Sequence, residues 1–201
     1  LTLINNGANV NATDQYGRTP LHSAAVYGNT ATAIALIAAD ANVNATDRFG
    51  ETPLQIGVMN DHTETSLALI NAGADVNTTA AGYSNTPLHS AAERNTAIAL
   101  ALINAGADIN AKDEFGGTPL HITAINNHTA IAIALIAKGA DVNATDNRSN
   151  TPLYWTGRNG NTETERAIEH PLHYAARISD AKTVKALIDK GYDLQAKLDD
   201  K

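Results

Sequence analysis

The sequence predicts an all-α repeat solenoid, and three observations carry that expectation. Thr19-Pro20-Leu21-His22 returns as Thr52-Pro53-Leu54-Gln55, Thr86-Pro87-Leu88-His89, Thr118-Pro119-Leu120-His121 and Thr151-Pro152-Leu153-Tyr154, at threonine spacings of 33, 34, 32 and 33 residues. A second marker alternates with the first, in Gly73-Ala74-Asp75-Val76-Asn77, Gly106-Ala107-Asp108-Ile109-Asn110 and Gly139-Ala140-Asp141-Val142-Asn143, with degenerate copies at Gly7 to Asn11 and Asp40 to Asn44. Finally, 43% of the chain is hydrophobic but only 4% is aromatic, and alanine makes up much of the apolar share. Such a chain packs by close helix contact and not around large anchors. A fixed period of this kind describes units that bury themselves only against their neighbours.

Each element follows from its residues. Thr19 is placed to cap a helix, Pro20 occupies the first turn where its missing N–H costs nothing, and Leu21, Ala24 and Ala25 form an inward stripe. After a turn at Gly28-Asn29, the stretch Ala31 to Ala38 carries Ile34, Leu36 and Ile37 on a second helix that ends near Ala39-Asp40. The two helices make a hairpin. Asn42 to Gly50 then reads as an extended connection, with Asp47 and Gly50 as turn formers.

The Thr-Pro-Leu-His and Gly-Ala-Asp-Val-Asn markers at this period resemble ankyrin repeats across essentially the whole chain. The resemblance implies helix-turn-helix units linked by short β-hairpin-like fingers, stacked into a curved right-handed solenoid. It divides residues 1–201 into a partial repeat (1–13), four full repeats (14–46, 47–79, 80–112 and 113–145), a short unit (146–169) and a C-terminal repeat or cap (170–201). Leu1 falls within a repeat, which places the natural N-terminus upstream.

Three departures from the pattern stand out. In the third full repeat Glu93-Arg94 runs into Asn95-Thr96 with no glycine between the helices, so Asn95 is expected to make the turn in a left-handed conformation, and one extra residue near Ala80-Ala81 precedes that repeat. In the second, Gln55-Ile56-Gly57-Val58 replaces His-x-Ala-Ala and predicts a weaker helix. Pro152 and Pro171 stand only 19 residues apart, about 14 short of a period, so the second helix and finger there are expected to be mostly absent, through a missing stretch near Ile168-Glu169-His170 or a deletion.

The composition narrows the function classes. A net charge of −7 with no lysine and arginine run opposes phosphate neutralisation and argues against nucleic acid as a partner. The absence of cysteine removes disulfides, thiolate nucleophiles and thiol-based zinc sites, and is compatible with the cytoplasm. The longest apolar stretch, Ala130 to Ala137, is far below the roughly 20 residues that cross a bilayer. No H-E-x-x-H, G-x-S-x-G, phosphate loop or calcium loop occurs, so no catalytic residue, metal or cofactor is expected. Glu163 and Glu165 read as a solvated helix start. The sequons at Asn11, Asn44, Asn77, Asn127, Asn143 and Asn147 read mainly as by-products of the finger motif.

The resemblance gives His22, His89, His121 and His173 structural hydrogen bonds between units, leaves His62 and His128 as exposed turn residues between helices, and aligns Asn44, Asn77, Asn110 and Asn143 with positions open to asparaginyl hydroxylation. It also implies a concave groove lined by finger tips and first helices. There Tyr16, Phe49, Tyr83 and Phe115 form a ladder continued by Arg148, beside Arg18, and Tyr27, Arg94, Trp155, Arg158, Tyr174 and Arg177 extend the face. Aromatic and arginine side chains are the ones most enriched at binding hot spots. The expected function is non-catalytic binding of a protein partner by a monomeric array. The alternative is a regulatory or targeting arm of a larger polypeptide whose enzyme, toxin or effector part lies elsewhere. The asparagine- and alanine-rich style resembles arrays of intracellular bacteria or their effectors, which would place the chain in a host cytoplasm.

Overall fold

The computed structural model describes residues 6–80, 82, 84–178 and 180–192. Tyr83, counted among the expected binding residues, lies outside that set. The described residues hold twelve helices and no strand: α1 (Pro20–Val26), α2 (Thr30–Ala38), α3 (Pro53–Met59), α4 (Thr63–Asn71), α5 (Pro87–Arg94), α6 (Thr96–Asn104), α7 (Pro119–Asn126), α8 (Thr129–Lys138), α9 (Pro152–Asn159), α10 (Thr162–Glu169), α11 (Pro171–Arg177) and α12 (Ala181–Asp189). They fall into two compact units, residues 1–107 and 108–201.

In the first unit α1, α3 and α5 pack side by side as one row, while α2, α4 and α6 form a second. Leu21, Leu54 and Leu88 have no exposed surface, and Leu36, Leu69 and Leu102 of the second row are buried against them. A hairpin of two short helices has too little apolar surface to be stable alone, so burial comes from the neighbouring hairpin. Ile34, grouped in the sequence with Leu36 and Ile37, is more than half exposed, because α2 buries only Ala33 and Leu36.

α1, α3, α5 and α7 start on the same device. Thr19 N–H and Thr118 N–H donate to Nδ1 of His22 and His121 at 3.0 and 3.1 Å, and the opposite nitrogens meet the carbonyls of Glu51 and Asn150, both at 3.1 Å, in the next hairpin. A carbonyl only accepts, so each Nε2 carries the proton and each ring is neutral. Gln55 makes the equivalent pair of bonds, its Oε1 accepting from Thr52 N–H at 2.8 Å and its Nε2 donating to the Thr78 carbonyl at 3.1 Å. His22 and His121 join successive hairpins, as the resemblance implies. His62 departs from expectation: it is half-buried, and its Nε2 donates to the Val26 carbonyl of the preceding hairpin at 3.0 Å.

Asn95 also departs from what the sequence predicts. Its φ of −134° is extended, not left-handed. The left-handed residues of the neighbouring turns, Gly28, Asp61 and Asn127, each lie nine places after the capping threonine, and the third repeat has lost one residue there. Asn95 therefore ends α5 and caps α6, accepting Ile98 N–H at 2.9 Å, while its amide binds Thr63 at 2.8 Å.

In the second unit the expected loss of a second helix does not occur. α10 is present over Thr162–Glu169, and His170 alone connects it to α11. What the short spacing removes is the finger. Without one, α11 is not carried back to the row of α7 and α9; it turns against α10, and α12 packs on α8. Glu163, read as a solvated carboxylate, holds this turn through a 2.8 Å ion pair with Arg177.

Two outcomes are expected from this packing. Ser66 Oγ is buried without a hydrogen-bond partner, and a Cβ on Gly57 would lie 2.9 Å from it. Ser66→Ala should raise stability by about 1 kcal/mol in urea titration. Gly57→Ala alone should lower it by a similar amount, about 1 kcal/mol, and cease to do so beside Ser66→Ala, since the pair then matches Ala24 with Ala33 in the first hairpin. Secondly, burial pushes His22 and His121 below their ordinary value of 6.5. The fold holds the neutral ring, so stability is fully present above pH 6.5 and falls as pH drops beneath it. His121→Gln, copying Gln55, should keep the cap and reduce that acid sensitivity, read as a smaller loss of melting temperature between pH 7 and pH 5.

Candidate functional site

Four fingers are built around one carboxylate each. Asp14 Oδ1 accepts the amides of Tyr16 and Arg18, Asp47 those of Phe49 and Glu51, Asp113 those of Phe115 and Gly117, and Asp146 those of Arg148 and Asn150, all at 2.7–3.0 Å. Ala80 takes this place in the third finger. The turn leaves the residue two after the aspartate at the tip. Neighbouring fingers are then tied through the backbone, Arg48 N–H to the Tyr16 carbonyl at 3.0 Å and Asn147 N–H to that of Phe115 at 2.9 Å. Asn44 and Asn110, matched to hydroxylation positions, add to this lacing by accepting Asp75 N–H and Asp141 N–H at 2.8 and 2.9 Å.

Tip residues Tyr16, Phe49 and Phe115 are 48%, 56% and 69% exposed. Among the described residues no ring of the expected ladder pairs with another; the ring pairs are Tyr154 with Trp155 and His170 with His173. Each tip is a separate apolar point. Beside them lie two positions of each first helix, four and seven residues after the threonine: Ser23 and Val26, Ile56 and Met59, Ser90 and Glu93, Ile122 and Ile125, Trp155 and Arg158. That spacing puts both on one helical face.

In the second unit these positions close a recess of about 260 Å³, whose apolar wall is Phe115, Ile122, Ile125 and Trp155 and whose polar rim includes Asp146 and Arg148. Trp155 is half-buried, and its Nε1 donates to Asp146 Oδ2 at 3.1 Å. Tyr154 meets the indole edge-on at 5.5 Å, and the Arg158 guanidinium lies 5.6 Å over it. Desolvation pushes Asp146 up, but the amides of Asn150 and Arg148, the Asn150 side chain and the indole outweigh it and bring its pKa down to about 2. The carboxylate thus fixes both the finger and the indole. The first unit carries a second recess of about 260 Å³, between Glu51, Gln55 and Met59 on one side and Ala80, Asn85 and Ser90 on the other.

Other expected residues are placed elsewhere. Arg18 is half-buried in an ion pair with Asp47 at 3.2 Å, so it serves the joint between fingers. Tyr27 is exposed at the end of α1, and Arg94 is paired with Glu93 at 2.8 Å. Tyr174 and Arg177 stack on each other at 4.9 Å on α11, among the second helices and apart from the row that carries Trp155. Sequence reasoning missed Ile122 and Ile125, which read as core because they are aliphatic and helical. Their register could have exposed them, since Ile125 shares its position with Val26, Met59, Glu93 and Arg158.

No helix among the described residues is long and apolar enough to cross a membrane. Hairpins of paired helices, each started by a threonine cap and joined by carboxylate-centred fingers, define a helical repeat array. The chain belongs to the ankyrin repeat family: the model for three-copy ankyrin repeats matches residues 1–80, 46–113 and 88–168, and that for a single ankyrin repeat matches 169–199. No curated protein matches the chain. Ankyrin repeats are generally protein–protein interaction modules, and their arrays are typically non-catalytic.

Removing the central carboxylate tests this construction. Asp146→Ala should cost about 2 kcal/mol or more in urea unfolding, because it strips acceptors from two amides and the indole at once. It should also shift the fluorescence of Trp155, the only tryptophan, to the red.

Proposed function

We propose that this chain is a non-catalytic interaction module that grips a protein partner through the finger tips and the adjoining first-helix positions, with the recess around Trp155 as the anchor point. The observation that carries this reading is the exposure of Phe115 and Ile125 beside an indole held in place by Asp146. Exposed apolar side chains around a fixed aromatic supply buried area on binding with little further entropy lost. A recess of about 260 Å³ is smaller than the roughly 300–1,000 Å³ of small-molecule sites and suits a single large side chain.

The test uses a partner recovered by affinity capture from cells. Phe115→Ala and Ile125→Ala should each weaken its binding by about tenfold or more, the range of interface hot spots. Both side chains are exposed, so melting temperatures should hardly move. Tyr27→Ala should bind as the parent does. Undiminished binding by both recess variants would refute the reading.

A further inference from the structure

The recess carries a charge pattern that the family does not dictate, and it bears on which protein segments can enter. Its two carboxylates keep their charge but turn most of their hydrogen-bonding capacity inward. Asp146 gives Oδ1 to two main-chain amides and Oδ2 to the Trp155 indole and the Asn150 side chain. Asp113 gives Oδ1 to two more amides, and a Cβ on Gly117 would lie 3.0 Å from its Oδ2, so that oxygen too is turned towards its own finger. The ring of His121 is occupied between Thr118 and Asn150.

The arginines are not engaged in this way. Arg148 stands at the finger tip and Arg158 over the indole; both are exposed, and neither has a carboxylate within ion-pair distance among the described residues, whereas Arg18, Arg94 and Arg177 do. Arg158 makes one long contact, 3.4 Å to the Tyr154 hydroxyl. A guanidinium offers five N–H donors in a planar fork that matches a carboxylate. The exposed charged groups beside this apolar recess that have no ion-pair partner thus include two guanidiniums, in a chain whose net charge is −7. The local preference runs against the global charge.

Resting on the function proposed above, we propose that the recess receives one large apolar side chain of a protein segment, and that Arg148 and Arg158 select segments with aspartate or glutamate flanking that side chain. Lysine or arginine in the same flanking places would meet two like charges.

Selection of random dodecapeptides on the folded chain tests the proposal, with affinities of individual synthetic peptides read from Trp155 fluorescence. Recovered peptides should pair an aromatic or aliphatic residue with flanking acids, and their affinity should drop as salt rises from low to physiological concentration. Arg148→Glu with Arg158→Glu should weaken those peptides roughly five- to tenfold, the range for two exposed ion pairs replaced by repulsion, and selection on that variant should return basic flanks. Arg148→Gln with Arg158→Gln, the milder change, should fall between the two. Peptides that lose binding on Phe115→Ala yet show no acidic enrichment, or keep it on the charge-reversed chain, would overturn the charge selectivity and leave the recess as the binding site. Peptides indifferent to Phe115→Ala would overturn the site itself.

Discussion

The finger is the part on which the rest of the structure depends, and in four of the fingers one carboxylate holds it. An aspartate oxygen that takes two amides closes a turn in a stretch with no helix or strand to stiffen it. The closed turn delivers the chain to the next threonine, whose helix is then laid beside the preceding first helix. The last hairpin shows the converse. Its α11 has a proline, a leucine and an alanine pair much like those of the other first helices, yet with no finger before it the helix joins the other layer. Helical pattern makes the hairpin, but connection length decides which row it enters.

The binding surface grows from the same arrangement. Most tips and adjoining helix positions lie outside the core, which is carried chiefly by the leucines and alanines turned inward, although Ile56 at one such position is buried. On α9, Tyr154 and Trp155 replace the His-Ser of α1. The indole bonds the finger carboxylate through its one polar atom and leaves its ring surface to the recess. An amphipathic side chain can do both because its polar group and its apolar face point in different directions.

Much of the fold was legible in the residues. The threonine caps and the helical hairpins follow from local rules that a period of 33 residues repeats often enough to read, and the joining role of the histidines came with the family resemblance. What was not legible was any feature set by a missing residue. The third turn, with its left-handed position deleted, makes Asn95 extended, and the identity of Asn95 gave no sign of it. The short spacing before Pro171 equally suited a lost helix and a lost finger, and only packing distinguishes them. At the candidate site the aromatic tips and Trp155 stood out by type, whereas Ile122 and Ile125 were hidden by looking like core. Arg18, Tyr174 and Arg177 drew attention as binding types, but ion pairs and stacking occupy them within the array.

The departure of α11 from the first-helix row also limits how much of a partner the second unit can touch. Only α7 and α9 present groove-facing positions there, and neighbouring helices lie about 8–10 Å apart. An extended backbone advances roughly 3.3 Å per residue, so a strand crossing that interval is read over about three residues. On the proposed reading, such a short footprint suits the second unit to a brief linear motif and puts nearly all discrimination on the one side chain that descends and its immediate flanks.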